Sequence, residues 1–132
     1  MILAAKEGAG YSYSLFHVPD CSEGPATIRQ YYDTFFPSAE FPTASASLAV
    51  TTICAETEAD SQRYANWLQS EKFGIPINVH GDAGQCREQI ISLCERYGVD
   101  ECIIVPLWAH HEQRVLSLKL LADAFALDQV YR

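Results

Sequence analysis

The sequence predicts an α/β protein in which strands and helices alternate along the chain and the strands run parallel. Apolar segments of strand length alternate with longer segments whose apolar residues recur at helical spacing. The clearest strand segment, Leu48 to Cys54, is rich in β-branched residues and uncharged, as a strand covered on both faces would be. No internal repeat or low-complexity tract interrupts the alternation.

Taken in order, Ile2 to Glu7 reads as the last turns of a helix stopped by Gly8 and Gly10. Tyr11 to His17, aromatic-rich and bounded by Gly10 and Pro19, reads as a first buried strand with His17 at its carboxyl end. Val18 to Glu23 is a loop. Ala26 to Phe36 then places Ile28, Tyr31, Tyr32, Phe35 and Phe36 at helical spacing, and Pro37 ends that helix. Pro37 to Ser47 is a long loop leading into the Leu48 to Cys54 strand.

Acidic residues from Glu56 to Asp60 suit the start of the next helix, which is capped by Thr57 and runs to about Gln69. Phe73 to His80, with Pro76 at its centre, reads as an edge strand or a connector. Asp82 followed three residues later by Gln85 is a helix-start pattern, with Cys86, Ile90, Leu93, Cys94 and Tyr97 as the apolar stripe and Gly98 as the stop. Glu101 to Leu107 is a third apolar strand. In the helix from Glu112 to Phe125, Val115, Leu118, Leu121, Ala122 and Phe125 are expected to face inward.

The chain has 132 residues, 48% of them hydrophobic, with 9 Lys and Arg against 17 Asp and Glu and a formal net charge of −8. One domain over residues 1–132 with its own core is the expectation. The acidic balance disfavours phosphate backbones and anionic lipid, so neither nucleic acid nor a membrane surface is an expected partner. Cys21, Cys54, Cys86, Cys94 and Cys102 form an odd set without a C-x-x-C pair, which fits free thiols. No apolar run is long enough for a membrane span or a signal peptide, and a cytoplasmic location is expected.

Near the end of the chain the residues become specific. His111-Glu112-Gln113-Arg114-Val115-Leu116-Ser117-Leu118-Lys119-Leu120-Leu121-Ala122 resembles the closing His-x-x-Arg helix of the luciferase-like flavin monooxygenases. Gly98-Val99-Asp100-Glu101-Cys102-Ile103-Ile104-Val105 is similar to that family's final barrel strand, and Val79-His80-Gly81-Asp82 through Ile90 to one of its helix starts, with Ala83 in place of a proline. Leu3 to Tyr13 and, more loosely, Val50 to Glu58 resemble it as well.

The resemblance implies part of a (β/α)8 TIM-barrel-like fold, the C-terminal portion, with three to four parallel strands alternating with helices. It also implies oxidation of a small organic substrate by O2, assisted by FMN or a related flavin, with a flavin reductase as a partner if the chain is active. The family's phosphate-binding turn and early strands precede the region that Met1 opens, so no flavin contact is carried over.

In a β/α barrel, chemistry sits where strands end. That position nominates Ser14, Phe16 and His17, then Cys54 and Glu56, then Trp108 and His110. His17 is the candidate catalytic acid or base, weighed against a structural role. The others are candidates for a substrate or flavin pocket, with core packing as the plainer account of Phe16 and Trp108 and buried packing as that of Cys54.

His110-His111-Glu112 invites a metal reading, but neighbouring helical side chains diverge by about 100° and no histidine follows at i+4, so no metal is expected. The resemblance gives His111 and Arg114 a structural role. Gly81 to Gly84 suits an N-cap better than a phosphate, because Asp82 stands where the anion would. A three-stranded piece of a barrel would expose apolar strands, so a homo-oligomer is expected. The alternative to an enzyme is a non-catalytic remnant or oligomerisation module.

Overall fold

The computed structural model describes residues 1–17 and 22–127. Its elements are α1 (Ile2–Lys6), β1 (Tyr11–Ser14), α2 (Gly24–Asp33), β2 (Ala46–Ala55), α3 (Glu58–Ser70), β3 (Val79–Asp82), α4 (Ala83–Tyr97), β4 (Glu101–Pro106) and α5 (His111–Ala124). Cys21 and most of the loop after His17 lie outside the described residues.

All ten residues of β2 are buried, as its uncharged sequence requires. β1 lies parallel to the first half of β2, with Tyr11 opposite Ala46, and β3 lies parallel to the second half, with Thr52 opposite Val79. β4 also pairs with β2. Beyond the end of β4, the Leu107 N–H donates to the Thr52 carbonyl at 2.9 Å.

This pairing overturns the barrel expectation and, with it, the reading of the chain as the C-terminal part of a luciferase-like barrel. Barrel closure needs each strand beside its sequence neighbour, whereas β4 pairs with β2, and β3 is not its partner. What forms is a small open α/β sheet with alternating helices. The motifs quoted above fix helix starts and strand positions, which are local features. They do not fix which strands become neighbours.

Contacts divide the chain into two compact units, one of residues 1–50 and 92–103, the other of residues 51–91 and 104–132. In the first unit the Tyr31 hydroxyl, fully buried on α2, donates to the Ala9 carbonyl at 2.8 Å and accepts the Ser45 N–H at 3.2 Å, tying α2 to the residues that lead into β1 and β2. Gly8 ends α1 at φ +61° and packs so closely on the Phe36 carbonyl and Ser38 that a side chain has no room. β1 stops at Ser14. The strand expected to reach His17 breaks into a turn there, with the His17 N–H on the Ser14 carbonyl at 3.4 Å. Nor is β1 buried throughout: Ser12 is exposed. Phe36, expected on the inner face of its helix, lies beyond the end of α2 and is 67% exposed.

In the second unit Ile53, Ala65 and Leu68 form a core against which Tyr64, Ile77, Leu107 and Trp108 pack. Thr57 caps α3 by accepting the Asp60 N–H at 3.1 Å. At α4 the Gln85 N–H donates to Asp82 Oδ1 at 2.8 Å while Gln85 Oε1 accepts the Asp82 N–H at 3.0 Å, a reciprocal cap. The carboxylate therefore occupies the anion position at that helix start. Phe73 to His80 contributes only its last two residues to β3. Gly98, at φ +68°, stops α4 as expected.

Two expectations about burial fail. Leu118 of α5 is 44% exposed, and Ser117 and Leu121 are the buried residues of that helix. β4 is not a covered strand: Glu101 and Ile103 are exposed, Ile103 by 43%.

Candidate functional site

The second unit carries a groove of about 700 Å³ between α3 and α5. It opens where β2 and β4 end, the position at which open α/β sheets place their ligands. Ala55 ends β2 and Glu56 follows it, Trp108 to His110 follow β4, and Asp60, Arg63, Tyr64 and Trp67 form one face of α3.

Three aromatic rings give the groove its character. Tyr64 stacks on Trp108 with centroids 4.0 Å apart and planes at 25°, and Trp67, one helical turn along, lies 5.3 Å from Tyr64. Trp108 is fixed by its own indole N–H, which donates to the Cys54 carbonyl at 3.1 Å. The Tyr64 hydroxyl donates to the Leu107 carbonyl at 3.2 Å and accepts the Ala109 N–H at 2.8 Å. From α5 the Arg114 guanidinium donates to the carbonyls of Trp108 and Ala109 at 3.1 and 3.0 Å. The loop that presents Trp108 and His110 is thus held by one residue from each flanking helix. Arg114 has the structural role that the resemblance implied.

The polar groups of the groove are unequal in sign. Arg63 is paired with Asp60 at 3.1 Å. Glu56 is exposed and forms no ion pair among the described residues. His110 is exposed at the rim and stands as the N-cap of α5 without a side-chain cap bond.

Of the seven residues nominated by strand-end position, Glu56, Trp108 and His110 come together in this groove. Cys54 lies directly beneath through its carbonyl, but its thiol is fully buried and turned to Cys86. The Cys86 thiol in hydrogen-bonding contact lowers the pKa of Cys54, against the opposing effects of burial and of Asp82. Cys86 is shifted upward by that same contact and by burial. The neighbour of Cys54 is therefore another thiol and not a base, which removes the arrangement a catalytic cysteine requires. Ser14, Phe16 and His17 belong to the first unit, where the rings of Phe16 and His17 touch at 4.5 Å and His17 is exposed.

Tyr64, Trp67 and Arg63 were not singled out in the sequence. The available signal was Tyr64 and Trp67 at i, i+3 on a helix whose apolar stripe did not need both. No group of three or more His, Cys, Asp or Glu able to hold a metal occurs among the described residues. Among the same residues no helix is long and apolar enough to cross a membrane.

No family model matches the chain. It is 28% identical to the uncharacterized protein YwcH of Bacillus subtilis (strain 168), a match that covers 95% of this chain and 46% of that protein. Among solved structures it is similar to apo-MsnO8, with a TM-score of 0.76 and 23% identity over 96% of this chain and 47% of the other. It is also similar to the monooxygenase RslO1 from Streptomyces bottropensis, with a TM-score of 0.68 and 16% identity over 95% of this chain and 43% of that one. The chain thus spans about half the length of the relative and of the structures it matches.

Proposed function

We propose that the chain takes part in a monooxygenase-type oxidation of a small organic substrate held in the α3–α5 groove. The observation that carries this reading is a fold shared with a protein described as a monooxygenase, together with an aromatic groove where the strands end. In such a reaction one atom of O2 enters the substrate and the other leaves as water, with two electrons drawn from a reductant. This chain's own contribution is binding. Trp108, locked by Cys54, Tyr64 and Arg114, offers a fixed apolar face, and Tyr64 and Trp67 extend it.

A flavin is the cofactor we propose, with a flavin reductase as the source of electrons. The aromatic row suits the flat ring. It does not suit a phosphate, because the one guanidinium lining the groove is held by Asp60 and Glu56 adds a second carboxylate. The α4 helix start is likewise filled by Asp82. These residues fit the ring of a flavin and not its phosphate.

The test is incorporation of labelled oxygen. The purified chain is incubated with FMN, NADH, a flavin reductase and a panel of aldehydes and phenols under 18O2. A product two mass units heavier than its 16O counterpart, absent without the chain, supports the reading; no label above the reductase-only control overturns it.

A second reading, an association module that forms homo-oligomers, is favoured by the apolar side chains left open on β4 and α5, Ile103 and Leu118. Light scattering after size exclusion at micromolar concentration decides it. A mass of one chain removes this reading.

A further inference from the structure

We infer that the α3–α5 groove is a binding site for a flat aromatic cation, a protonated or N-alkylated heteroaromatic amine. The inference rests on the proposed function only for the choice of site, since binding requires no turnover.

Shape comes first. Trp67, Tyr64 and Trp108 form a row of rings with centroid separations of 5.3 and 4.0 Å, and Trp67 at the end of that row is 48% exposed. A planar ring laid on the open indole faces continues the row and covers apolar surface that is otherwise wet. Indole is also the ring whose face attracts a cation most strongly.

Charge then selects the ligand. Glu56 and Asp60 line the groove against one guanidinium, Arg63, which Asp60 already engages, so Glu56 is the carboxylate left for a ligand. The helix dipoles that would attract an anion are already met, at α3 by Thr57, Glu58 and Asp60 and at α5 by Glu112 in its first turn. The chain as a whole carries −8, and its field draws cations and repels anions at long range. Ring stacking supplies the affinity in this arrangement, and Glu56 supplies the preference for positive charge.

The chain has two tryptophans, and both lie in the groove, so tryptophan emission, excited at wavelengths that tyrosine does not absorb, reports this site alone. Three bicyclic probes of similar size are titrated in 10 mM buffer at about pH 8: 1-methylquinolinium, quinoline and naphthalene-2-sulfonate. The expected result is saturable quenching with the cation bound about threefold to fivefold more tightly than quinoline, the range for one exposed charge contact, and the sulfonate weakest. Half-molar salt should shrink that preference. Glu56→Gln should bring the cation and quinoline within about twofold. Trp67→Leu, a change at an exposed position, should weaken all three by calorimetry.

Equal binding of cation and sulfonate, a preference that survives Glu56→Gln, or no saturation at all would each overturn the inference. Labelled-oxygen incorporation without the charge preference would leave the oxidation standing and remove the ligand class; the reverse would keep the ligand class and remove the oxidation.

Discussion

Tyr64 and Trp108 are stacked at 4.0 Å between ring centroids, and the same tyrosine fixes the backbone on either side of that tryptophan, at Leu107 and Ala109. One side chain from α3 therefore sets both the ring and the loop that carries it. Tyr64→Phe keeps the stack and deletes the hydroxyl, leaving the Ala109 N–H and the Leu107 carbonyl without it. We expect a loss of about 1–2 kcal/mol in urea unfolding and weaker quenching of Trp108 by a groove ligand. Unchanged stability would show that water replaces the hydroxyl at no cost.

Ser61 performs a buried version of the same task. Its hydroxyl donates to the Ile53 carbonyl at 2.7 Å and accepts the Gly81 N–H at 2.8 Å, bridging β2 and β3 from the first turns of α3. Ser61→Ala orphans both backbone groups in a place water does not reach. The expected cost is about 2–3 kcal/mol by chemical denaturation, larger than for Tyr64→Phe because the Tyr64 site is partly wet.

Thr52 gives the opposite sign. Its hydroxyl is fully buried in β2 and has no hydrogen-bond partner. Thr52→Val removes an unsatisfied polar group at nearly constant volume, so stability should hold or rise by up to about 1 kcal/mol. A loss above about 1 kcal/mol in the denaturation midpoint would mean that the hydroxyl is bonded in solution.

The half-buried thiols of the first unit set an alkaline limit. Burial, with the neighbouring Cys94 thiol, pushes Cys102 up to about 12, and burial also raises Cys94. In the unfolded chain a thiol ionises near about 8.5. Between those values the unfolded state releases a proton that the folded state retains, so stability falls as pH rises from about 9 towards 12. Melting temperature measured across that window should decline, and Cys102→Ala should flatten the decline. An identical slope in the variant would assign it to other groups.

The features legible in the sequence were those set by neighbouring residues. Thr57, the Asp82 and Gln85 pair and Gly98 mark helix ends because a cap needs partners only two or three residues away. The buried character of Leu48 to Cys54 was equally plain, since every side chain there is small or apolar. Sheet order was not legible. That β4 joins β2 depends on contacts between distant segments, and the luciferase-like motifs describe segments one at a time.

The inner face of α5 is hidden in the sequence for a related reason. Val115, Leu116, Leu118, Leu120 and Leu121 spread apolar residues around most of that helix, so periodicity cannot choose its inner face. For the candidate site, strand-end position was enough to find Glu56, Trp108 and His110, whereas Tyr64 and Trp67 lie inside a helix, where that rule does not look. His17, expected at a strand end, lies three residues beyond the last residue of β1.

Every strand that joins β2 comes from a remote part of the chain, as the pairings of Ala46 with Tyr11 and of Thr52 with Val79, and the bond from Leu107 to Thr52, make plain. β2 is therefore the template on which the sheet assembles, and none of its ladders can close from local chain alone. Folding should be paced by the search for these long-range partners, and helices should appear before the sheet does. Once formed, the same strand is the last to open, so its amides should be the slowest in the protein to exchange with deuterium.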